Sequence, residues 1–210
     1  SMLQLADQPE PEQMFNDSYA FFSGTSKYMA LHFEKFAESV KTQYLTEKDP
    51  FVVEIGSNDG ILLKNFKQWN IRHLGIEPSA NVAEVAKKQG IQTICRFFGE
   101  ATAKEIVAEH GKADAYLAAN VMCHISDIHS VIKGIDALLK PTGVASFEDP
   151  YLGDVLEKTS YDQIYDEHVF LFSATSLQYL FGMHGFELIN CDPQVTHGGS
   201  MRYTFARKGA

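Results

Sequence analysis

The chain has 210 residues, 45% of them hydrophobic, and a formal net charge of -9. That is enough apolar material for one sizeable core, and the 18 basic residues are scattered rather than gathered into a stripe that could neutralise a phosphate backbone, so no nucleic-acid polymer is expected as partner. No apolar run approaches the roughly 20 residues that span a bilayer, and the amino terminus lacks the basic, apolar, small-residue order of a secretory signal; no membrane contact is expected and the location reads as cytoplasmic.

Residues 1–18 carry Gln, Pro and acids with little periodicity and read as a lead-in or linker. The domain proper is expected over 19–210. From Ser26 to about Tyr44 apolar residues at Tyr28, Met29, Phe33, Phe36, Ala37 and Val40 predict a helix with one buried face. Alternation follows: the strand "FVVEIG", the helix "GILLKNFKQW", the strand "RHLGIEP", then "SANVAEVAKKQG" as a helix with Ser79 at its N-cap and Gly90 as its stop. "IQTIC", "ADAYLAAN" and "VASFEDP" predict three more strands, spaced by the helices "EATAKEIVAEHG" and "DIHSVIKGIDALLKPTG". Strands separated by helices argue a parallel sheet with right-handed crossovers. A late helix, "SATSLQYLFGMHG", and the closing strands "FELINCDP" and "SMRYTFARK" predict an edge that turns antiparallel. The fold class is therefore α/β, a mostly parallel seven-stranded sheet with helices on both faces. Cys95, Cys123 and Cys191 lie far apart with no C-x-x-C pair and read as buried thiols; no metal is expected within this chain.

In such a sheet ligands gather outside the carboxyl ends of the strands. There the chain places "VVEIGSNDG", with Glu54, Gly56, Ser57, Asn58 and Gly60, and "GIEP", with Glu77 about twenty residues later. Glycine permits close backbone approach, and a carboxylate at the second strand end can accept both hydroxyls of a ribose. The turn has neither the glycine spacing of the dinucleotide fingerprint nor the lysine of a phosphate loop, so a Rossmann-like NAD site is the weaker reading. "YDQIYDEHVFLF", residues 161–172, sets Tyr161, Tyr165, Glu167 and His168 against an apolar run. As a helix it would put Tyr161, Tyr165 and His168 on one face and turn Glu167 away; as a loop it would let Glu167 join a site. Phe170, Phe172, Tyr179 and Phe181 are expected in the core, His129 and His184 on solvated faces.

"VVEIGSNDG", "GIEPS" and "NVMCHISD" resemble motifs of class I S-adenosylmethionine-dependent methyltransferases. That resemblance implies S-adenosylmethionine as cofactor and S-adenosylhomocysteine as product. It places Gly56 and its turn, with Glu54, Ser57, Asn58 and Gly60, at the methionine part, Glu77 beside Pro78 at the ribose, Phe98 with Gly99 at the adenine edge, and Asn120 after the fourth strand. "YAFFSGTSKYMALH", "NVMCHISDIHSVI", "FEDPYLGDVLEKTSYDQIYDEHVFLFSATSL" and "HGGSMRY" resemble the sugar C-methyltransferases, which methylate C3 of dTDP-linked 4-keto deoxysugars. By that resemblance Tyr19, His124, Tyr165, Glu167 and His168 form the active site, with His168 as general base. The sequence departs from the family's Tyr-x-Tyr over Tyr19, Ala20 and Phe21, at Phe21, and from its second Ser at Gly24. Ser1-Met2 looks like an expression scar, and the chain is expected to be an excised central domain, without the family's amino-terminal zinc module and carboxy-terminal α/β domain. The expected substrate is a small nucleotide-linked sugar; few cations lie near the expected site, Arg202 being the nearest candidate for a diphosphate, so this part alone is expected to bind cofactor and turn over substrate poorly. The alternatives are an O- or C-methyltransferase of another small molecule or carrier-bound ketone, and a domain that only binds the cofactor.

Overall fold

The computed structural model describes residues 2–210. Its frame is a seven-stranded sheet in the order β4-β3-β2-β5-β6-β9-β8. The strands are β2 (Phe51–Ile55), β3 (Arg72–Ile76), β4 (Thr93–Ile94), β5 (Ala113–Ala119), β6 (Leu139–Pro150), β8 (Phe186–Gln194) and β9 (Ser200–Arg207). The first five are parallel, and β9 runs antiparallel to both β6 and β8, as the closing strands predict. The chain winds outward from β2 to β4, then crosses to β5 on the other side of β2. That reversal opens a crevice at the carboxyl ends of β2 and β5.

Strand periodicity divides the core between the two faces. Val53, Ile55, Tyr116, Phe147 and Phe205 point to one side, where they meet α5 (Glu100–His110), α6 (Ile128–Leu138) and α8 (Ala174–Gly182). Val52, Ala115 and Leu117 point to the other, covered by α2 (Lys27–Tyr44), α3 (Leu63–Gln68) and α4 (Ala80–Lys88). Ser26 caps α2 by accepting from the Met29 amide, and Asp127 caps α6 by accepting from the Ser130 amide. Ser79 occupies the N-cap of α4 without a side-chain cap bond, and Gly90 ends that segment at φ +74°.

Several expectations need correction. Tyr28 and Tyr179 are 58% and 74% exposed: each lies on a helix whose buried stripe is already filled, by Phe33, Phe36, Ala37 and Val40 in α2 and by Leu177 and Phe181 in α8. Cys95 is exposed and Cys191 half-buried, leaving Cys123 as the buried thiol. Of the two readings open for residues 161–168 the loop is the one observed: a single 3-10 turn at Tyr161–Gln163 gives way to irregular chain, and the apolar Val169–Phe172 that follows is buried. The lead-in also has a place of its own. Its strand β1 (Leu3–Gln4) pairs antiparallel with β7 (Phe170–Leu171), and a short helix α1 (Pro11–Met14) lies beyond it.

Candidate active site

The turn after β2 is built by its backbone. Gly56 sits at φ +55°, and a Cβ there would come 2.4 Å from Val121 Cγ2, so glycine is required by both conformation and space. Asn58 also adopts a positive φ, and its amide donates to Glu77 Oε2 at 3.0 Å. The Ser79 amide donates to Glu77 Oε1 at 2.8 Å. One carboxylate therefore ties together the turns after β2 and β3. Burial pushes the Glu77 carboxyl up, with the two amides pulling against it. Glu54 stands behind this wall, fully enclosed, with its carboxyl held far above the usual range by burial and by Glu77 and Asp59. Ser57 is buried against Gly75, Gly60 at φ +85° turns the chain toward α3, and Gly99 ends the approach to α5 beside Ser130.

The titratable groups expected to move protons come from elsewhere in the chain. His124 closes a 3-10 turn after β5 (Met122–His124), and His168 sits in the irregular chain before β7. His124 Nδ1 lies 2.6 Å from the Glu167 carbonyl and His168 Nδ1 lies 2.8 Å from the Gln163 carbonyl. A carbonyl only accepts, so both rings carry their proton on Nδ1 and present Nε2 as a lone pair. The Tyr165 hydroxyl donates to His168 Nε2 at 3.0 Å, and the Asn120 amide donates to His124 Nε2 at 3.4 Å. The two imidazole centroids are 5.1 Å apart. Burial, then the neighbouring His168, holds His124 down to about 4; burial lowers His168 as well. Tyr19 and Tyr165 are pushed up to about 12 by burial and by Glu167, which keeps both as neutral hydroxyls at ordinary pH.

One cavity of about 920 Å³ joins these two regions. Gly56, Asn58, Glu77, Pro78 and Phe98 line its one end and Tyr19, Asn120, His124, Tyr165 and Glu167 the other. Glu54, Ser57, Gly60, Gly99 and His168 are not on its wall; His168, 2% exposed, reaches it through Tyr165. Tyr19 belongs to a strap laid over the turn after β2. Asn81 donates to the Tyr19 carbonyl, Asn58 donates to the Phe21 carbonyl and accepts from the Ser23 amide, and Asp59 accepts from the Gly24 amide. A Cβ at Gly24 would lie 2.6 Å from Asp59 Oδ2, so the close approach of this strap depends on a glycine there.

Residues 28–190 match the family described as Methyltransferase domain. The chain belongs to that family. It is 36% identical over 193 residues to C-methyltransferase NovU of Streptomyces niveus, a match covering 91% of this chain and 46% of that protein. It is 27% identical over 93 residues to the ubiquinone biosynthesis O-methyltransferase of Rhodopseudomonas palustris (strain BisB5), covering 44% of this chain and 37% of that one. The chain thus spans about half the length, or less, of these relatives. Among solved structures, magnesium protoporphyrin IX methyltransferase (ChlM) of Synechocystis PCC 6803 with bound SAH superposes with a TM-score of 0.66 at 12% identity, over 85% of this chain and 83% of that one. The PH0226 protein of Pyrococcus horikoshii OT3 gives 0.69 at 13% identity, over 90% and 95%. The fold is the class I S-adenosylmethionine-dependent methyltransferase fold.

In this methyltransferase domain two acids escaped the sequence reading. Glu148, at the end of β6, lines the cavity; its Oε1 meets His32 Nε2 at 2.5 Å, and its Oε2 accepts from Arg202 Nε at 3.0 Å and from an Arg202 terminal nitrogen at 2.7 Å. Arg202, expected as a phosphate ligand, is buried, doubly bonded to Glu148 and stacked 3.8 Å over Phe36; its charge is already used. Asp149 points under the turn that carries His124, accepting from the Val121 and Cys123 amides at 3.1 and 3.3 Å. Burial raises its carboxyl to about 7. The signal for both acids was "FEDP" at a strand's carboxyl end, read as the end of the strand and the start of a family-like stretch without a role for either acid.

Proposed function

We propose that this domain transfers a methyl group from S-adenosylmethionine to the carbon beside the ketone of a nucleotide-linked keto-deoxysugar, in a cytoplasmic setting. The observation that carries the reading is the Tyr165–His168 pair at one end of a cavity whose other end presents Glu77 and Phe98. A buried carboxylate at a strand end and an aromatic edge suit a nucleoside's diol and base, and the crowded Gly56 leaves the turn's backbone free to face it. When bound, S-adenosylmethionine supplies an electrophilic methyl group.

Carbon becomes nucleophilic only if a proton beside the ketone is removed and the resulting enolate stabilised. His168 has its Nδ1–H anchored on a carbonyl and its Nε2 lone pair aimed at the Tyr165 oxygen. Tyr165 faces the cavity, so the substrate proton passes to its oxygen as its own proton passes to Nε2. Tyr19, neutral and lining the same cavity, donates to the developing oxyanion. His124, too weak a base at about 4, exchanges the long Asn120 contact at its Nε2 for a substrate hydroxyl, and Glu167 anchors a second. Arg96 lines the cavity and pairs with Glu105 at its exposed rim, and Arg202 is held by Glu148, so this domain offers a diphosphate few cations.

Two experiments test this. Calorimetry with S-adenosylmethionine and S-adenosylhomocysteine should show binding of both; a folded domain that binds neither overturns every methyltransferase reading. Deuterium should exchange into the carbon beside the ketone of a dTDP-4-keto-deoxysugar without cofactor, and the exchange should vanish in His168→Asn. Exchange absent from every keto-sugar offered would sink the sugar proposal.

A further inference from the structure

Cys123, His124 and His168 are all buried, and one ligand atom from each lies within 4.8 Å of the other two. We propose that these three residues form a reversible zinc site that shuts the enzyme off by occupying its imidazoles. Two imidazole nitrogens and a thiolate are a donor set that zinc favours, and tetrahedral bonds of ~2.0–2.1 Å to nitrogen and ~2.3 Å to sulfur put such donors about 3.3–3.6 Å apart. The three atoms, within 4.8 Å of one another, need to close by up to about 1.5 Å to reach that spacing, within the reach of side-chain rotations.

The supporting contacts are those of a metal site. Zinc-bound histidines donate their other ring N–H to a carbonyl or carboxylate, which fixes the tautomer and aims the lone pair. Both histidines here do so, His124 to Glu167 and His168 to Gln163. The Cys123 amide donates to Asp149, which holds the turn that carries both Cys123 and His124. His124 lines the cavity, so a cation enters from there and keeps its fourth position toward it, for water or a substrate oxygen. As the Zn–S bond forms, the Cys123 thiol releases its proton to solvent. Zinc then occupies both Nε2 lone pairs, and the hydroxyl of Tyr165 loses its acceptor. The inhibitory consequence rests on the proton-transfer reading given above; the binding of zinc does not.

The domain should be titrated with zinc against a chromophoric chelator, and with cobalt(II) in parallel. The expected result is one zinc per chain and a thiolate-to-cobalt charge-transfer absorption, both lost in Cys123→Ala and Cys123→Ser. The affinity should fall by more than the ~10–100-fold that loss of a supporting partner costs. Two conservative variants guard against a folding defect, and unchanged binding of S-adenosylhomocysteine certifies each. His129 and His184 form a second, exposed pair with ring nitrogens 2.9 Å apart, so His184→Ala is the control. Zinc bound equally by wild type and both Cys123 variants, lost instead in His184→Ala, or bound without a thiolate band overturns the site. One equivalent of zinc should stop deuterium exchange in wild type and spare it in Cys123→Ala; exchange that continues with zinc on Cys123 overturns the inhibition. Absence of exchange before any zinc is added would be a failure of the function reading alone, with the titration still deciding the site.

Discussion

The two ends of the cavity are made by different means. At the end proposed for the cofactor, Gly56, Asn58, Glu77 and Ser79 lie within two consecutive strand-turn units, and the bonds that shape it join backbone amides to one carboxylate. At the end proposed to move protons, His124 and Glu167 meet across 43 residues of chain, and carbonyls of irregular loop hold the imidazoles. The first is a property of a repeated local motif. The second exists only because β5, β6 and β7 bring two turns together, so changes at the two ends should affect different steps.

The largest separation is expected from Tyr165→Phe and His168→Asn. Each should lower proton exchange by about 10²–10⁴-fold, the range for loss of a positioned acid or base, while calorimetry shows cofactor affinity unchanged. If either variant loses cofactor binding instead, the division fails.

A pH effect comes next. His124 is held down to about 4 from an ordinary 6.5, so between those values the unfolded chain binds a proton that the native one does not. Stability should therefore fall as pH drops from about 6.5 toward 4, by about 3 kcal/mol from this residue. Denaturant midpoints for wild type and His124→Asn should converge across that window; parallel curves would contradict the neutral buried imidazole.

Glu77→Gln should do the reverse of the tyrosine variant. It keeps the shape but replaces the charge-assisted bonds to Asn58 and Ser79, worth about 1.5–3 kcal/mol each. Cofactor affinity should weaken by about 10–100-fold, with cofactor-free exchange retained. The smallest effect is expected at the seam between the ends. Asn81→Ala removes the bond to the Tyr19 carbonyl at 2.8 Å, about 0.5–1.5 kcal/mol, and should slow exchange by about 2–10-fold. An unchanged rate would mean that the strap is held by Asn58 and Asp59 alone.

The α/β order, the parallel sheet and the antiparallel edge were legible in the sequence because periodicity and turn residues act over a few positions. The same holds for Gly56 and Glu77, whose spacing follows from one strand-turn-helix unit. Tyr28 and Tyr179 were misread because periodicity marks a stripe and does not say where the stripe ends. Arg202 was misread because its partner, Glu148, lies 54 residues away on a neighbouring strand. In "YDQIYDEH", residue types pointed to proton chemistry, yet helix and loop remained equal on local grounds. The tertiary structure decided for the loop, since the carbonyls of Gln163 and Glu167 are free to accept from imidazoles only where no helix uses them. It also decided that Cys123 joins His124 and His168. A contact between turns that the chain places far apart is set by how the strands stack, and no local pattern encodes that.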